Sequence, residues 1–230
     1  MNDAGVAVDA RERLLLLGDP RLPVGSHVYG AGAEAAVAGG ILRSVPDLTA
    51  FLRTRLLEQG LVAATAAAAA CLLAHRRGGE ESWDRLDAMV EAALPSAADR
   101  AASRAQGRAV VRFGVVWLPS PVWPLLGSAP HHAVALGVAT EAGDGTPHEA
   151  ALLCARAGAE GPAVAALRRL GTGRPDAVMA ALATAFEMVA ARAVQMAIES
   201  QERRLRSGGE QPALGSAEDA GISRWAALLH

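Results

Sequence analysis

Lysine is absent from this 230-residue chain, and all 22 of its basic residues are arginine. That excludes a Schiff-base lysine and the lysine of a phosphate-binding loop. Aromatic residues make up only 3% of the chain while 51% is hydrophobic. Ala, Leu and Val must therefore fill the interior, which suits close-packed helices better than a twisted sheet. Cysteine occurs twice, as Cys71 and Cys154, in no CxxC pair. Two such distant thiols read as small apolar packing groups in a reducing compartment. Neither sign of charge dominates, with 22 basic against 24 acidic residues, and no basic cluster reaches the density that a phosphate backbone demands, so no nucleic-acid partner is expected.

Other absences narrow the function further. The N-terminus MNDAGVAVDARER has no basic region followed by an apolar one, so a cytoplasmic location is expected. The apolar run LVAATAAAAACLLA at 61–74 falls short of the ~20 residues that cross a bilayer and reads as a buried helix, with no membrane partner. Neither GxxxxGK[ST] nor a strand-to-helix GxGxxG occurs, so any nucleotide would be held by another chain. His27, His75, His131, His132, His148, His230 and the two cysteines show no convergent helical or tight-loop spacing, and no metal ligand or cofactor is assigned. The adjacent His131 and His132 diverge by about 100° on a helix and read as a solvent-exposed pair. Ser26 beside His27 lacks a nucleophile elbow, so no catalytic residue is assigned and the chain is not expected to be an enzyme.

What is present is helical. Ser44 caps a helix carrying Leu48, Phe51, Leu52 and Leu56, which Gly60 is expected to stop; a second follows over 61–76. Leu86, Met89, Val90 and Ala93 mark a third apolar stripe. Arg100, Arg104, Arg108 and Arg112 sweep one side of a fourth helix, and Gly107 lies among them. Such a stripe reads either as a solvated face or as an interface, the glycine marking close approach of another backbone. WLPSPVWP at 117–124 is a proline-rich hinge, and Thr146-Pro147-His148-Glu149 is a capping box opening a helix through Ala157. Further helices fit 162–170 and 175–206, and 207–230 reads as a flexible tail. The length supports one core. The expectation is a single all-α domain over residues 1–230, a bundle of roughly eight to ten helices with a flexible N-terminus.

Three motifs in order carry a family resemblance. DPRLPVGSHVYGAGAE at 19–34, through Pro20, Leu22, Pro23, Gly25, Tyr29, Gly32 and Glu34, resembles the N-terminal signature of the UreF-type urease accessory proteins. SRAQGRAVVR resembles that family's Arg-x-x-Gly-Arg helix through Arg104, Gly107 and Arg108, and HHAVALGVA its His-start segment through His132 and Gly137. Departures are His27, Val28, Gly30 and Ala33 in the first motif, Thr172 in place of a glutamine, and a tail that lacks a His-Glu pair.

The resemblance implies a non-enzymatic homodimeric scaffold. Such a scaffold binds UreD (also called UreH) and recruits the GTPase UreG to apo-urease, where GTP hydrolysis is tied to nickel insertion. By the same resemblance Pro23, Gly25, Tyr29, Glu34, Arg104, Gly107, Arg108, Ser223 and Arg224 are the expected partner-binding residues. The second reading left open is an all-helical small-molecule-sensing or regulatory domain, whose Ala-rich helices would line a pocket.

Overall fold

In the computed structural model, Ser44 opens the first long helix as its spacing predicts. Its side chain accepts the Asp47 N–H at 3.2 Å, and Pro46 occupies the first turn, where a missing N–H costs nothing. The structure describes residues 9–18 and 32–206, and among these there are helices and no strand. In chain order they are α1 (Ala10–Leu17), α2 (Ala33–Ala38), α3 (Val45–Arg55), α4 (Leu61–His75), α5 (Glu80–Ala93), α6 (Ala97–Trp117), α7 (His132–Ala142), α8 (Pro147–Leu170), α9 (Pro175–Ala181) and α10 (Ala183–Arg206).

Three boundaries differ from expectation. Gly60 does not stop a helix: a π turn over Leu56–Gly60 carries α3 straight into α4. Its neighbours Arg55 and Leu61 keep right-handed helical angles, because burial of Leu56 and Leu61 on the same core outweighs the cost of one glycine. Second, α8 runs through Pro162. The proline cannot donate to the Gly158 carbonyl, yet Pro162 is buried and α8 stays continuous around it. Third, the segment after Pro175 breaks at Leu182, where α9 and α10 meet at 55°. Leu182 is wholly buried there, so the bend turns its side chain into the core.

α4 is the centre of the fold. One face gives Ala64 and Ala68 to a core shared with α3, α8, α9 and α10; the other gives Ala66, Ala67, Ala70 and Cys71 to a core shared with α1, α5, α6 and α7. Alanine buries little area, so stability here rests on closeness of approach and the dispersion contacts this brings. Gly137 of α7 shows how close: a Cβ built there would lie 2.3 Å from the Ala67 carbonyl oxygen. The helix from Val45 to His75 spans 31 residues and, like Pro147–Leu170, is long and apolar enough by length and composition to cross a membrane. The longer span arises because the π turn joins what the sequence reading separates.

The proline-rich 117–124 stretch forms a packed corner. Trp123 is buried and its indole N–H donates to the Leu118 carbonyl at 2.8 Å. Its ring fills the space left by Gly114, where a Cβ would lie 2.2 Å from it.

Candidate functional site

α5, α6 and the start of α7 meet in a charged hub. α5 places Asp87 and Glu91 one turn apart, and α6 places Arg100 and Arg104 one turn apart, so the two pairs face each other across the helix contact. Arg104 binds Glu91 through Nη2 at 2.6 Å and Asp87 through Nη1 at 3.0 Å, and also donates to the Ala129 carbonyl. Arg100 reaches the other Glu91 oxygen at 3.1 Å and the Leu94 carbonyl at 2.8 Å.

His131 sits at the bottom of this hub, with a side chain that has no exposure. Its Nε2 is 2.8 Å from Glu91, its Nδ1 is 3.0 Å from the Ser103 hydroxyl, and its backbone N–H donates to Asp87 at 2.8 Å. A carboxylate only accepts, so Nε2 carries the proton of the neutral ring. Nδ1 then accepts from Ser103, whose oxygen accepts the His132 N–H at 3.2 Å. Burial, seconded by the Arg104 charge, holds the imidazole below its ordinary range against the pull of Asp87 and Glu91. Partial burial alone would raise Glu91, but hydrogen bonds from Arg104 and His131 outweigh it and hold its carboxyl below the usual range.

The exposed histidine pair of the sequence reading is therefore corrected: His131 is fully buried, because acids from α5 and a serine from α6 satisfy its polar atoms. Burial also takes His132 down to about 4. The two cysteines are buried as expected, and desolvation pushes both thiols up to about 12.

Gly107 explains why α6 can come so near. A Cβ there would lie 2.0 Å from the Pro130 carbonyl oxygen. The close backbone that the glycine signals belongs to this same chain, in the turn leading to α7.

The UreF family model matches residues 42–185 of the 230. The chain belongs to the UreF family. The urease accessory protein UreF of Mycolicibacterium vanbaalenii is 42% identical over 186 residues, covering 79% of this chain and 85% of that protein. The UreF of Mycobacterium marinum is 39% identical over 71% of the chain and 74% of its own length. That of Mycobacterium sp. strain JLS is 38% identical over 79% and 84%. UreF proteins are chaperone-type accessory proteins of urease maturation and are not enzymes.

The expected UreF site residues divide by where the fold places them, with Arg112 of the same stripe lying beside Arg108. Arg104 and Gly107 lie in the hub, where their contacts are within the chain. Arg108 and Arg112 are exposed on the outer side of α6, and no hydrogen-bonding partner reaches either among the described residues. Glu34 is exposed in the first turn of α2, behind Gly32 with its φ of 81°. Pro23, Gly25, Tyr29, Ser223 and Arg224 lie outside the described residues.

The arginine stripe is thus two surfaces, because successive i,i+4 steps drift around the helix. Asp87, Glu91 and Ser103 carry no role in the sequence, and His131 reads there as exposed. The signal available was an i,i+4 acid pair on one helix matched to an i,i+4 arginine pair on the next.

Proposed function

We propose that this UreF-family chain is a homodimeric scaffold for nickel insertion that binds UreD (UreH) and through it brings the GTPase UreG to apo-urease in the cytoplasm. The observation that carries the reading is the outer face of α6. Arg108 and Arg112 lie exposed on the same helix as Val115, Val116 and Trp117, which are 55%, 66% and 50% exposed. Arginine and aromatic residues beside exposed aliphatic ones are the composition of a protein-binding surface, and the hub ties α6 to α5 and the start of α7. The partners are proteins rather than a membrane: half of the most apolar window in Val45–His75, and 56% of that in Pro147–Leu170, is already buried inside the fold.

The test is co-purification of wild-type and Arg108→Glu chains with UreD and UreG, alongside urease activation in a deletion strain. Wild type is expected to retain both partners and restore activity, with Arg108→Glu losing at least one partner while keeping its thermal transition. A wild-type chain that binds neither protein and does not support activation removes the scaffold reading.

A further inference from the structure

A cavity of about 160 Å³ opens beside the hub, between the π turn, the N-terminal half of α6, the first turn of α7 and the middle of α8. Its floor is apolar, formed by Leu52, Leu56, Val90, Ala155 and Pro162. Two backbone irregularities border it. The π turn adds a residue to the helix on one side, and α8 on the other carries Pro162 four residues beyond Gly158. Ala63, Ala102 and Ala157 line the walls where larger side chains would close the space.

The polar groups on this cavity are not all satisfied by the fold. Arg55 lines it with its guanidinium 5.8 Å from the centre of the Phe51 ring, and no carboxylate reaches that cation among the described residues. His132 lines it too; its backbone N–H is held by Ser103, but neither ring nitrogen has a described partner. The Ser96 hydroxyl donates to the carboxylate of Asp99, the acid on the same wall, and accepts the Asp99 backbone N–H. Gln59 and Gln106 supply amides at the edge. An uncompensated guanidinium over an apolar floor is a half-made ion pair, and charge-assisted hydrogen bonds to a planar carboxylate are the strongest that arginine makes.

We propose that this cavity is a binding site for a small amphipathic carboxylate, whose compact apolar body occupies the floor and whose carboxylate pairs with Arg55. The size fits, since an apolar cavity of about 150 Å³ accepts a benzene-sized body. The neutral His132 ring offers one donor and one acceptor to the same ligand. Through the Ser103 hydroxyl, which touches both His131 and the His132 N–H, an occupant on this wall adjoins the hub that holds α6.

Benzoate and isovalerate are the probes, with benzamide as the neutral control of equal size. They are titrated into the isolated full chain by calorimetry and ligand-observed NMR, with no accessory protein present, so the outcome is independent of the scaffold reading. Benzoate is expected to bind in the millimolar range or tighter and benzamide about tenfold more weakly. Arg55→Gln should reduce benzoate to the benzamide level, and Ala102→Leu should abolish both by filling the cavity. Should Ala102→Leu fail to fold, Ala157→Leu closes the space from the facing wall. Absence of benzoate binding overturns the proposal, as does unchanged binding in Arg55→Gln or in a folded cavity-filling variant.

Discussion

Gly107→Ala adds a single methyl group, and the structure specifies what it meets. The new Cβ would stand 2.0 Å from the Pro130 carbonyl oxygen and 3.0 Å from two further backbone carbons, where ordinary contact begins near 3.4 Å. The obstacle is backbone, so no side chain can swing aside, and α6 must move from the 130–131 turn by about 1 Å. That movement pulls on the bonds spanning the gap: Ser103 to His131 at 3.0 Å, Ser103 to the His132 N–H at 3.2 Å, and Arg104 to the Ala129 carbonyl. Losing two neutral bonds and one made by a charged group costs about 3 to 5 kcal/mol. Better helix propensity returns about 1 kcal/mol.

A net loss of about 2 to 4 kcal/mol corresponds to a fall in Tm of roughly 5 to 15 °C for a domain of this size. Circular dichroism melts and urea titrations measure it. Gly158→Ala is the internal control, since a Cβ at Gly158 meets nothing within 4 Å; that variant should be stabilised by about 0.5 to 1 kcal/mol. A Gly107→Ala chain as stable as wild type would refute the claim that α6 and the turn before α7 are in obligatory backbone contact.

The remaining predictions concern charge and burial. Because burial lowers His132 to about 4 from its ordinary 6.5, the unfolded chain takes up the proton first. Stability should be full above pH 6.5 and decline as pH falls towards 4, by on the order of 3 kcal/mol from this group. Urea titrations at pH 7 and pH 5 check this, and an undiminished pH slope in His132→Gln would contradict it. Glu91, held low by Arg104 and His131, adds stability present above its ordinary 4.5 that is lost only at lower pH, so the two windows separate. Arg104→Gln should destabilise by about 1 to 3 kcal/mol through loss of its ion pairs with Asp87 and Glu91 and of its bond to the Ala129 carbonyl, whereas Arg108→Glu should change stability by less than about 0.5 kcal/mol; equal melts for the two variants would undo the division of the stripe. With both thiols pushed up to about 12, Cys71 and Cys154 should resist DTNB at pH 8 in the native protein and react when it is unfolded in urea. Rapid labelling of the folded chain would show that they are not buried.

Part of this was readable before any coordinates. The Ser44 cap and the Thr146–Glu149 capping box form where the spacing places them, because a cap is decided by residues three apart on one chain. The Leu48, Leu52 and Leu56 stripe is buried for the same local reason. Fold class followed from composition, since an interior of alanine and leucine favours packed helices. The family followed from three short motifs in order.

What residues more than a turn apart do to one another lay beyond the sequence. Gly60 and Pro162 read as breaks, yet both lie within continuous helices, because burial of the flanking side chains outweighs the local cost. The arginine stripe reads as one face, yet Glu91 is 13 positions from Arg104 and 40 from His131, and only the docking of α5 and α7 on α6 turns two of the arginines inward. The chain alone determined its helices, their caps and its family, because these depend on near neighbours and composition. Tertiary packing decided which polar groups are left for a partner or a ligand, because that depends on which distant carboxylates and carbonyls have already claimed the rest.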